Sequence, residues 1–314
     1  MAAPGETVAQ LLVRRLRELG CRAVHGVPGD YSFGLCDAVE DDPGVSFVTA
    51  ASELCAGYAA DGYARVHGIG ALLTTFGVGE LSAVNAVAGA LAERVPLVCI
   101  TGSPSRAILE SGRHMVVHHS LLPPPGGTPS FEVFARMHEN ITGARAVLTP
   151  ENARAEIERC LSVCVRLSQP VYFAVPADVA EAAACGAPLP PFQRPPSDPD
   201  ALAQAVRLAA DWANGAERPV VLADMGVHRG RVFAELRDLL EATNLPCATM
   251  LMGRAALDEH HPQHVGIYHG ATSAPAGVRQ LIESSDCVLA IGANLTDFNT
   301  GCAQRRKALQ PTPF

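Results

Sequence analysis

Three stretches of this 314-residue sequence place proton-transferring side chains directly after apolar segments. They are a short Gly-Val-Pro-Gly run followed by Asp30, a segment that contains Glu53, and an apolar stretch that contains His118 and His119. Carboxyl and imidazole groups are the commonest general acids and bases of enzymes. Each also has a structural interpretation. Asp30 is a typical turn residue, Glu53 suits the first turn of a helix, and histidines are common on surfaces.

A fourth stretch, residues 77–80, has the form of a phosphate-binding loop. Its Gly-Val-Gly-Glu run joins a predicted strand to a predicted helix. It lacks the third glycine of the dinucleotide fingerprint and the Gly-Lys-Ser/Thr of a P-loop. The carboxylate of Glu80 at the start of the helix would also repel a phosphate. We therefore expect no phosphate at this loop.

The pattern of apolar residues predicts the scaffold that positions these groups. Continuous apolar segments indicate buried parallel strands, and apolar residues at 3.6-residue spacing indicate helices. The first helix is expected to have Thr7 as its N-cap, and Ser52 is a candidate cap for the helix that contains Glu53. Ligands of such sheets bind where the strands end. The predicted strands are 23–27, 45–49, 71–76, 96–101 and 171–175, and the predicted helices are 8–19, 32–39, 52–66, 80–91, 131–137 and 154–167.

A second alternation of predicted helices and strands follows a proline-rich passage. The sequence therefore predicts the α/β class with two doubly wound parallel-sheet domains, the second of them incomplete because no strand pattern follows Gly301. The predicted limits are 1–185 for the N-terminal domain, 186–199 for a linker, 200–301 for the middle domain and 302–314 for an irregular tail. The middle domain is predicted to contain strands 219–223, 245–249 and 287–291 and helices 201–212, 232–242 and 276–283.

Composition excludes several classes of function. Lysine and arginine number 24 against 32 aspartates and glutamates, a net charge of −8 that argues against nucleic acid or an anionic membrane as the main partner. With 48% hydrophobic and 18% charged residues the chain is not disordered. There is no transmembrane-length apolar run and no signal-peptide pattern. The ten cysteines are scattered without a C-x-x-C pair, which predicts buried, reduced thiols in a cytoplasmic protein.

Four stretches together match one enzyme family. They are Gly-Val-Pro-Gly-Asp-Tyr at 26–31, Glu53 followed by Ala-Ala-Asp-Gly-Tyr-Ala-Arg at 59–65, Leu-Thr-Thr-Phe-Gly-Val-Gly-Glu-Leu-Ser at 73–82, and the double histidine. In these stretches the sequence resembles the thiamine-diphosphate-dependent 2-oxo-acid decarboxylases, above all the pyruvate and indolepyruvate decarboxylases. The likeness extends over nearly the whole chain, through 170–178, 256–262, 285–287 and 292–301.

The resemblance implies thiamine diphosphate as the cofactor and an aminopyrimidine-binding N-terminal domain. Glu53 matches the glutamate that hydrogen-bonds the aminopyrimidine ring and favours its imino tautomer. Such a carboxyl works best in an apolar pocket that raises its pKa. By the same match, Pro28 and Val78 line the aminopyrimidine pocket.

The resemblance also implies a reaction, the non-oxidative decarboxylation of a small-molecule 2-oxo acid that resembles pyruvate or indolepyruvate. Asp30, His118 and His119 match the residues that manage protons and orient the reacting adduct in this family. The sequence departs from the family at two points near the site. Ser52 stands where asparagine is usual, and the proline-rich loop 121–128 is longer than usual and could displace His119.

The largest departure is that the sequence contains no Gly-Asp-Gly motif. In the family that motif belongs to a third domain that holds magnesium (Mg²⁺) and the diphosphate. We therefore expect no metal ligands in this chain and place them on a missing domain or on a partner chain. Three hypotheses follow: a truncated decarboxylase that is inactive alone, one subunit of a split decarboxylase, or a non-catalytic regulatory or scaffold partner of an intact relative. A homo-oligomer is expected in each case.

Overall fold

The computed structural model describes residues 5–111, 117–121, 130–194 and 196–301. The chain divides into two compact units, Met1–Pro195 (unit 1) and Pro196–Phe314 (unit 2). Each unit is an α/β fold built on a parallel sheet, as the sequence predicts.

The sheet of unit 1 has six parallel strands in the order β2-β1-β3-β4-β6-β5. The three central strands β3, β4 and β6 are buried along their whole length, whereas the edge strand β2 is largely exposed and the edge strand β5 is half-buried. This burial explains the continuous apolar runs of the central strands. The strands are β1 (Ala23–Gly26), β2 (Ser46–Thr49), β3 (Gly70–Thr75), β4 (Leu97–Ser103), β5 (Ala144–Val147) and β6 (Val171–Pro176).

Helices cover both faces of this sheet. Side chains of α1, α2 and α7 form one apolar cluster with residues such as Leu73, and those of α3 and α4 form another with residues such as Leu72. Successive strand residues point to opposite faces, so each central strand contributes to both clusters. The described helices of unit 1 are α1 (Val8–Glu18), α2 (Phe33–Glu40), α3 (Glu53–His67), α4 (Val78–Ala92), α5 (Arg106–Ser111), α6 (Val133–Met137), α7 (Ala153–Leu167) and α8 (Ala177–Ala180).

The two predicted N-caps are confirmed. The hydroxyl of Thr7 accepts from the backbone N–H of Gln10 at 3.2 Å, and the Gln10 side chain accepts from the N–H of Thr7 at 3.0 Å, which makes a capping box. At α3 the hydroxyl of Ser52 accepts from the N–H of Cys55 at 3.3 Å. These bonds fix where α1 and α3 begin, and so they fix Glu53 as the first residue of α3.

Unit 2 has a four-stranded parallel sheet in the order β10-β7-β8-β9. Its first helix begins at Pro199, and the carboxylate of Asp198 accepts from the N–H of Ala201 at 2.8 Å as its cap. The sequence analysis missed β5 in unit 1 and β9 in unit 2. The described elements of unit 2 are α9 (Pro199–Gly215), β7 (Pro219–Ala223), α10 (Met225–Gly230), α11 (Phe233–Thr243), β8 (Cys247–Met250), β9 (His264–Tyr268), α12 (Gly277–Glu283) and β10 (Cys287–Ile291).

Most of the described cysteines are buried free thiols, as predicted. Cys55 and Cys185 are exposed, and Cys302 lies outside the described residues. Within the described ranges, no helix combines the length and the apolar character that crossing a bilayer requires. The buried thiols are Cys21, Cys36, Cys99, Cys160, Cys164 and Cys247.

A carboxyl group is buried inside unit 1. The side chain of Glu80 on α4 is 1% exposed. Its Oε1 accepts from the backbone N–H of Gly77 at 2.9 Å, and its Oε2 accepts from the hydroxyl of Tyr172 at 2.7 Å. Burial raises the pKa of Glu80 to about 7, although both hydrogen bonds act to lower it. The Gly77 N–H that a phosphate would need is therefore already engaged by a carboxyl group.

This buried carboxyl makes the stability of unit 1 depend on pH. The pKa of Glu80 lies near 4.5 in an unfolded chain and at about 7 in the fold, so the folded state binds the extra proton. The free energy of unfolding should therefore fall as pH rises from about 4.5 to about 7, by on the order of 3 kcal/mol from this group. Glu80→Gln should remove that contribution, because glutamine can still accept from Gly77 and donate to Tyr172.

Urea unfolding of unit 1 at pH 5 and pH 8 measures this effect. Glu40→Gln, at an exposed position on α2, is the control and should keep the pH dependence of the parent protein. Titrating groups other than Glu80 contribute equally to the pH dependence of the parent protein and of Glu80→Gln, so they cancel when the two are compared. If the free energy of unfolding of Glu80→Gln differs between pH 5 and pH 8 as much as that of the parent protein, Glu80 is ionised in the fold at both pH values.

Candidate functional site

The residues singled out in the sequence all lie in the segments that follow four neighbouring strands of unit 1, with Glu53 and Val78 as the first residues of α3 and α4. These strands are β2, β1, β3 and β4, which lie side by side in that order. The chain passes from β1 to β2 on one side and then to β3 on the other, and a crevice at such a reversal is the usual ligand site of an open parallel sheet. The residues are Pro28 and Asp30 after β1, Glu53 after β2, Val78 after β3, and His118 and His119 after β4.

Asp30 and His118 are in close contact. Nε2 of His118 lies 3.0 Å from Oδ2 of Asp30, and the two side chains are 58% and 48% exposed. The ring of Tyr31 stacks on the His118 ring, with centroids 5.4 Å apart and planes 22° apart. An exposed pair of this kind adds little stability. It does hold an imidazole nitrogen and a carboxylate where they can exchange a proton with a ligand at the end of the sheet.

His119 lies between His118 and the Gly77 turn. Its ring centroid is 4.4 Å from that of His118, and its backbone has a positive φ of 68°. A β-carbon added to Gly77 would lie 2.7 Å from the carbonyl oxygen of His119, so only glycine allows this approach. Residues 122–129 lie outside the described residues. The displacement of His119 by the longer loop therefore stays a prediction.

Glu53 lies close to the same turn, at Gly79. Its side chain is half-buried, and a β-carbon added to Gly79 would lie 3.3 Å from Glu53 Oε1. Val78, between the two glycines, is 47% exposed, and Pro28 is exposed as well. A carboxylate that can accept a hydrogen bond thus lies beside exposed apolar side chains. These groups fit a flat heteroaromatic ring that carries an N–H or amino group, such as an aminopyrimidine.

The structure thus forms one cluster from Asp30, His118 and His119, and the turn at residues 77–79 contacts both His119 and Glu53. Sequence analysis missed two participants, Tyr31 and the buried carboxyl of Glu80. Tyr31 directly follows Asp30, so its position was a usable signal. Burial of Glu80 was not readable, because an acid at a helix start is normally solvated.

The sequence analysis places the magnesium ligands on a further domain or on a partner chain. Within residues 5–111, 117–121, 130–194 and 196–301, no group of three or more histidine, cysteine, aspartate or glutamate side chains is arranged to hold a metal ion. The location of the magnesium ligands stays a prediction.

Two family models match the chain. The N-terminal TPP binding domain of thiamine pyrophosphate enzymes matches residues 6–121, and the central domain of the same enzymes matches residues 206–312. Thiamine pyrophosphate is another name for thiamine diphosphate. The first match contains every candidate site residue described above, and the second lies within unit 2.

Curated relatives align with almost the whole chain. Pyruvate decarboxylase isozyme 2 of Saccharomyces cerevisiae is 39% identical over 302 residues, which cover 94% of this chain and 52% of the relative. Pyruvate decarboxylase of Aspergillus terreus is 43% identical over 298 residues, 93% of this chain and 51% of the relative. An alpha-keto-acid decarboxylase of Mycobacterium avium is 44% identical over 305 residues, 96% of this chain and 52% of the relative.

The chain spans about half the length of the curated relatives it matches. Both family models describe enzymes that use thiamine diphosphate, and the relatives are decarboxylases of 2-oxo acids. The chain therefore belongs to the thiamine-diphosphate-dependent 2-oxo-acid decarboxylase family, of which it carries the N-terminal and central domains.

Proposed function

We propose that this chain forms the aminopyrimidine side of an active site that decarboxylates a 2-oxo acid of the pyruvate or indolepyruvate type without oxidation. One observation carries the proposal. The turn at residues 77–79 lies beside His119 at Gly77 and beside Glu53 at Gly79, so a histidine–aspartate cluster and a further carboxylate share one edge of the sheet. The names of the relatives support the reaction class.

Glu53, Val78 and Pro28 would hold the aminopyrimidine ring. When bound, thiamine diphosphate supplies a nucleophilic carbon that adds to the substrate carbonyl. Glu53 Oε1 lies beside Gly79 and would accept a hydrogen bond from the ring. In this role the Glu53 carboxyl holds or releases a proton at its oxygen, while Val78 and Pro28 exclude water from one face of the ring.

Asp30 and His118 would handle the protons of the substrate side. The 3.0 Å contact allows the Asp30 carboxylate to hold the imidazole of His118 in one orientation. His118 would then donate a proton from a ring nitrogen to the product, and His119 would orient the substrate carboxylate. The diphosphate and Mg²⁺ would be held by a further domain or by a partner chain.

The first test concerns Glu53 in a completed enzyme. The third domain of a close relative is fused after Gly301, and the unfused chain sets the baseline of carbon dioxide release. Glu53→Gln should lower the decarboxylation rate by roughly 10²–10⁴-fold, because glutamine keeps the shape of glutamate but cannot take up or release the proton. Deuterium exchange at the reactive carbon of the cofactor, followed by NMR, should slow with it.

Exposed Glu40→Gln is the control. Exchange at the parental rate in Glu53→Gln would make Glu53 only a first-turn helix residue.

The histidines should behave differently in the same fusion. His118→Ala and His119→Ala are expected to lower carbon dioxide release, because their proposed roles lie after cofactor activation. Deuterium exchange at the cofactor should stay close to the parental rate in both variants. A loss of exchange as large as that of Glu53→Gln would contradict this division of roles.

We also propose that the exposed side of α3 is a self-association surface. Tyr58, Gly62 and Val66 follow each other at four-residue spacing on this helix, so they lie on one face. Tyr58 is 51% and Val66 67% exposed, and a β-carbon on Gly62 would meet no atom within 4 Å. An apolar stripe with a glycine at its centre allows a second chain to approach closely.

Gly62→Arg tests this surface. Arginine should fit the free helix without strain, because glycine is the poorer helix former, yet it would place a charge in the interface. Sedimentation at micromolar concentration should show a self-associated parent chain and a Gly62→Arg variant whose association is at least about tenfold weaker. Gly215→Arg, at an equally open position on α9, is the control. A monomeric parent chain would contradict the proposal.

A further inference from the structure

The turn between β3 and α4 has a conformation that needs support. Gly77 has φ 71° and ψ −100°, and it precedes the first helical residue, Val78. Its N–H therefore has no partner within the helix. The turn also lies close to two residues of the site: a β-carbon added to Gly77 would lie 2.7 Å from the carbonyl oxygen of His119, and one added to Gly79 would lie 3.3 Å from Glu53 Oε1. A shift of this turn would change the spacing of both groups.

The side chain of Glu80 supplies the missing support. It reaches back to the N–H of Gly77 at 2.9 Å, as the third residue of a helix does in a capping box. Its other oxygen accepts from the hydroxyl of Tyr172 at 2.7 Å. Tyr172 lies on β6, a strand buried along its whole length. The carboxyl group thus links the turn to the centre of the sheet.

A second set of contacts flanks the same turn. The ring of His138 stacks on Tyr172 with centroids 4.2 Å apart, and its Nδ1 donates to the carbonyl oxygen of Phe134 at 2.9 Å. The ring of Phe134 packs edge-on against Phe76, which precedes Gly77, at 5.0 Å. Phe76 is thus connected through Phe134 and His138 to Tyr172, the residue that also donates to Glu80.

We propose that Glu80 is a positioning residue of the site: it holds the Gly77–Gly79 turn, which lies beside the backbone of His119 at Gly77 and beside the carboxylate of Glu53 at Gly79. Glu80 is buried beneath the turn and acts through it. The inference rests on the proposed function for its catalytic meaning, and on the geometry alone for the positioning.

Among the buried groups around the turn, Glu80 is the one whose charge changes near neutral pH. The titratable groups that face it are Tyr172 from β6 and His138 from the segment after α6. Burial raises the pKa of Tyr172 and lowers the pKa of His138, so both are neutral near pH 7. Both hydrogen bonds of Glu80 can form in either protonation state, because a carboxylic acid keeps an acceptor oxygen and can donate to the tyrosine oxygen.

Amide hydrogen exchange measured by NMR on the full chain, without cofactor, tests the proposal. Glu80→Ala should speed exchange of the Gly77 amide by roughly 10- to 100-fold, because a buried hydrogen bond to a charged or acidic group is lost. The Cys99 amide on β4 reports global opening and should change no more than in exposed Glu40→Ala. The backbone resonances of His119 should shift in Glu80→Ala. Glu80→Gln should restore both Gly77 exchange and the His119 resonances, because it keeps the acceptor.

Equal acceleration at Gly77 and Cys99, or unchanged His119 resonances, would overturn the proposal. If Glu80→Ala does not fold, Tyr172→Phe decides, because it removes the hydroxyl that donates to Glu80 Oε2. Exchange of the Gly77 amide should then speed relative to that of Cys99 and the His119 resonances should shift, and no change in either would overturn the proposal. None of these measurements uses thiamine diphosphate or substrate, so their outcome is separate from that of the decarboxylation tests.

Discussion

Parallel pairing of β2, β1, β3 and β4 is the constraint on which the candidate site depends. Parallel strands in register end at one edge, so loops that are far apart in sequence meet there. Gly26 pairs with Thr49 on one side and with Leu73 on the other, which brings the loops after β1, β2 and β3 together. Four candidate residues, Pro28, Asp30, Glu53 and Val78, follow these strand ends by four residues or fewer. His118 and His119 lie farther along the chain from β4, and their contacts with Asp30 and the Gly77 turn place them at the same edge.

Burial distinguishes the tasks proposed for two acids of this edge. Asp30 is half exposed and contacts an exposed imidazole, whereas Glu80 is buried and its pKa is raised to about 7 by desolvation. An exposed carboxylate exchanges protons with solvent and ligand at little cost. A buried one is costly to ionise and is better suited to holding backbone in place through hydrogen bonds. The division between chemistry and positioning follows from solvation of the same functional group.

The sequence predicted what hydrophobic burial dictates. Central strands such as β3 and β4 are apolar throughout because helices cover both faces, and their predicted limits differ from the observed ones by at most two residues. The edge strands β5 and β9 were missed, since Ala-Arg-Ala-Val and His-Val-Gly-Ile-Tyr are short and lack a continuous apolar run. The loops of the site were predictable from strand ends and family motifs. The Tyr31 stacking and the burial of Glu80 depend on tertiary contacts that no local pattern records.

The same architecture yields a different edge in unit 2. There the chain reverses between β7 and β10, again the usual position of a ligand crevice. The carboxylate of Asp224 accepts from the N–H of Asn294 and from the side chain of Asn299, both at 2.7 Å, and the N–H of Gly226 donates to Gly292 O at 3.0 Å. These bonds join the loops after β7 and β10 across the reversal. In unit 1 the corresponding loops present exposed side chains instead. Parallel topology therefore offers two equivalent positions: in unit 2 the hydrogen bonds of Asp224 tie the two loops to each other, whereas in unit 1 the loops present exposed side chains.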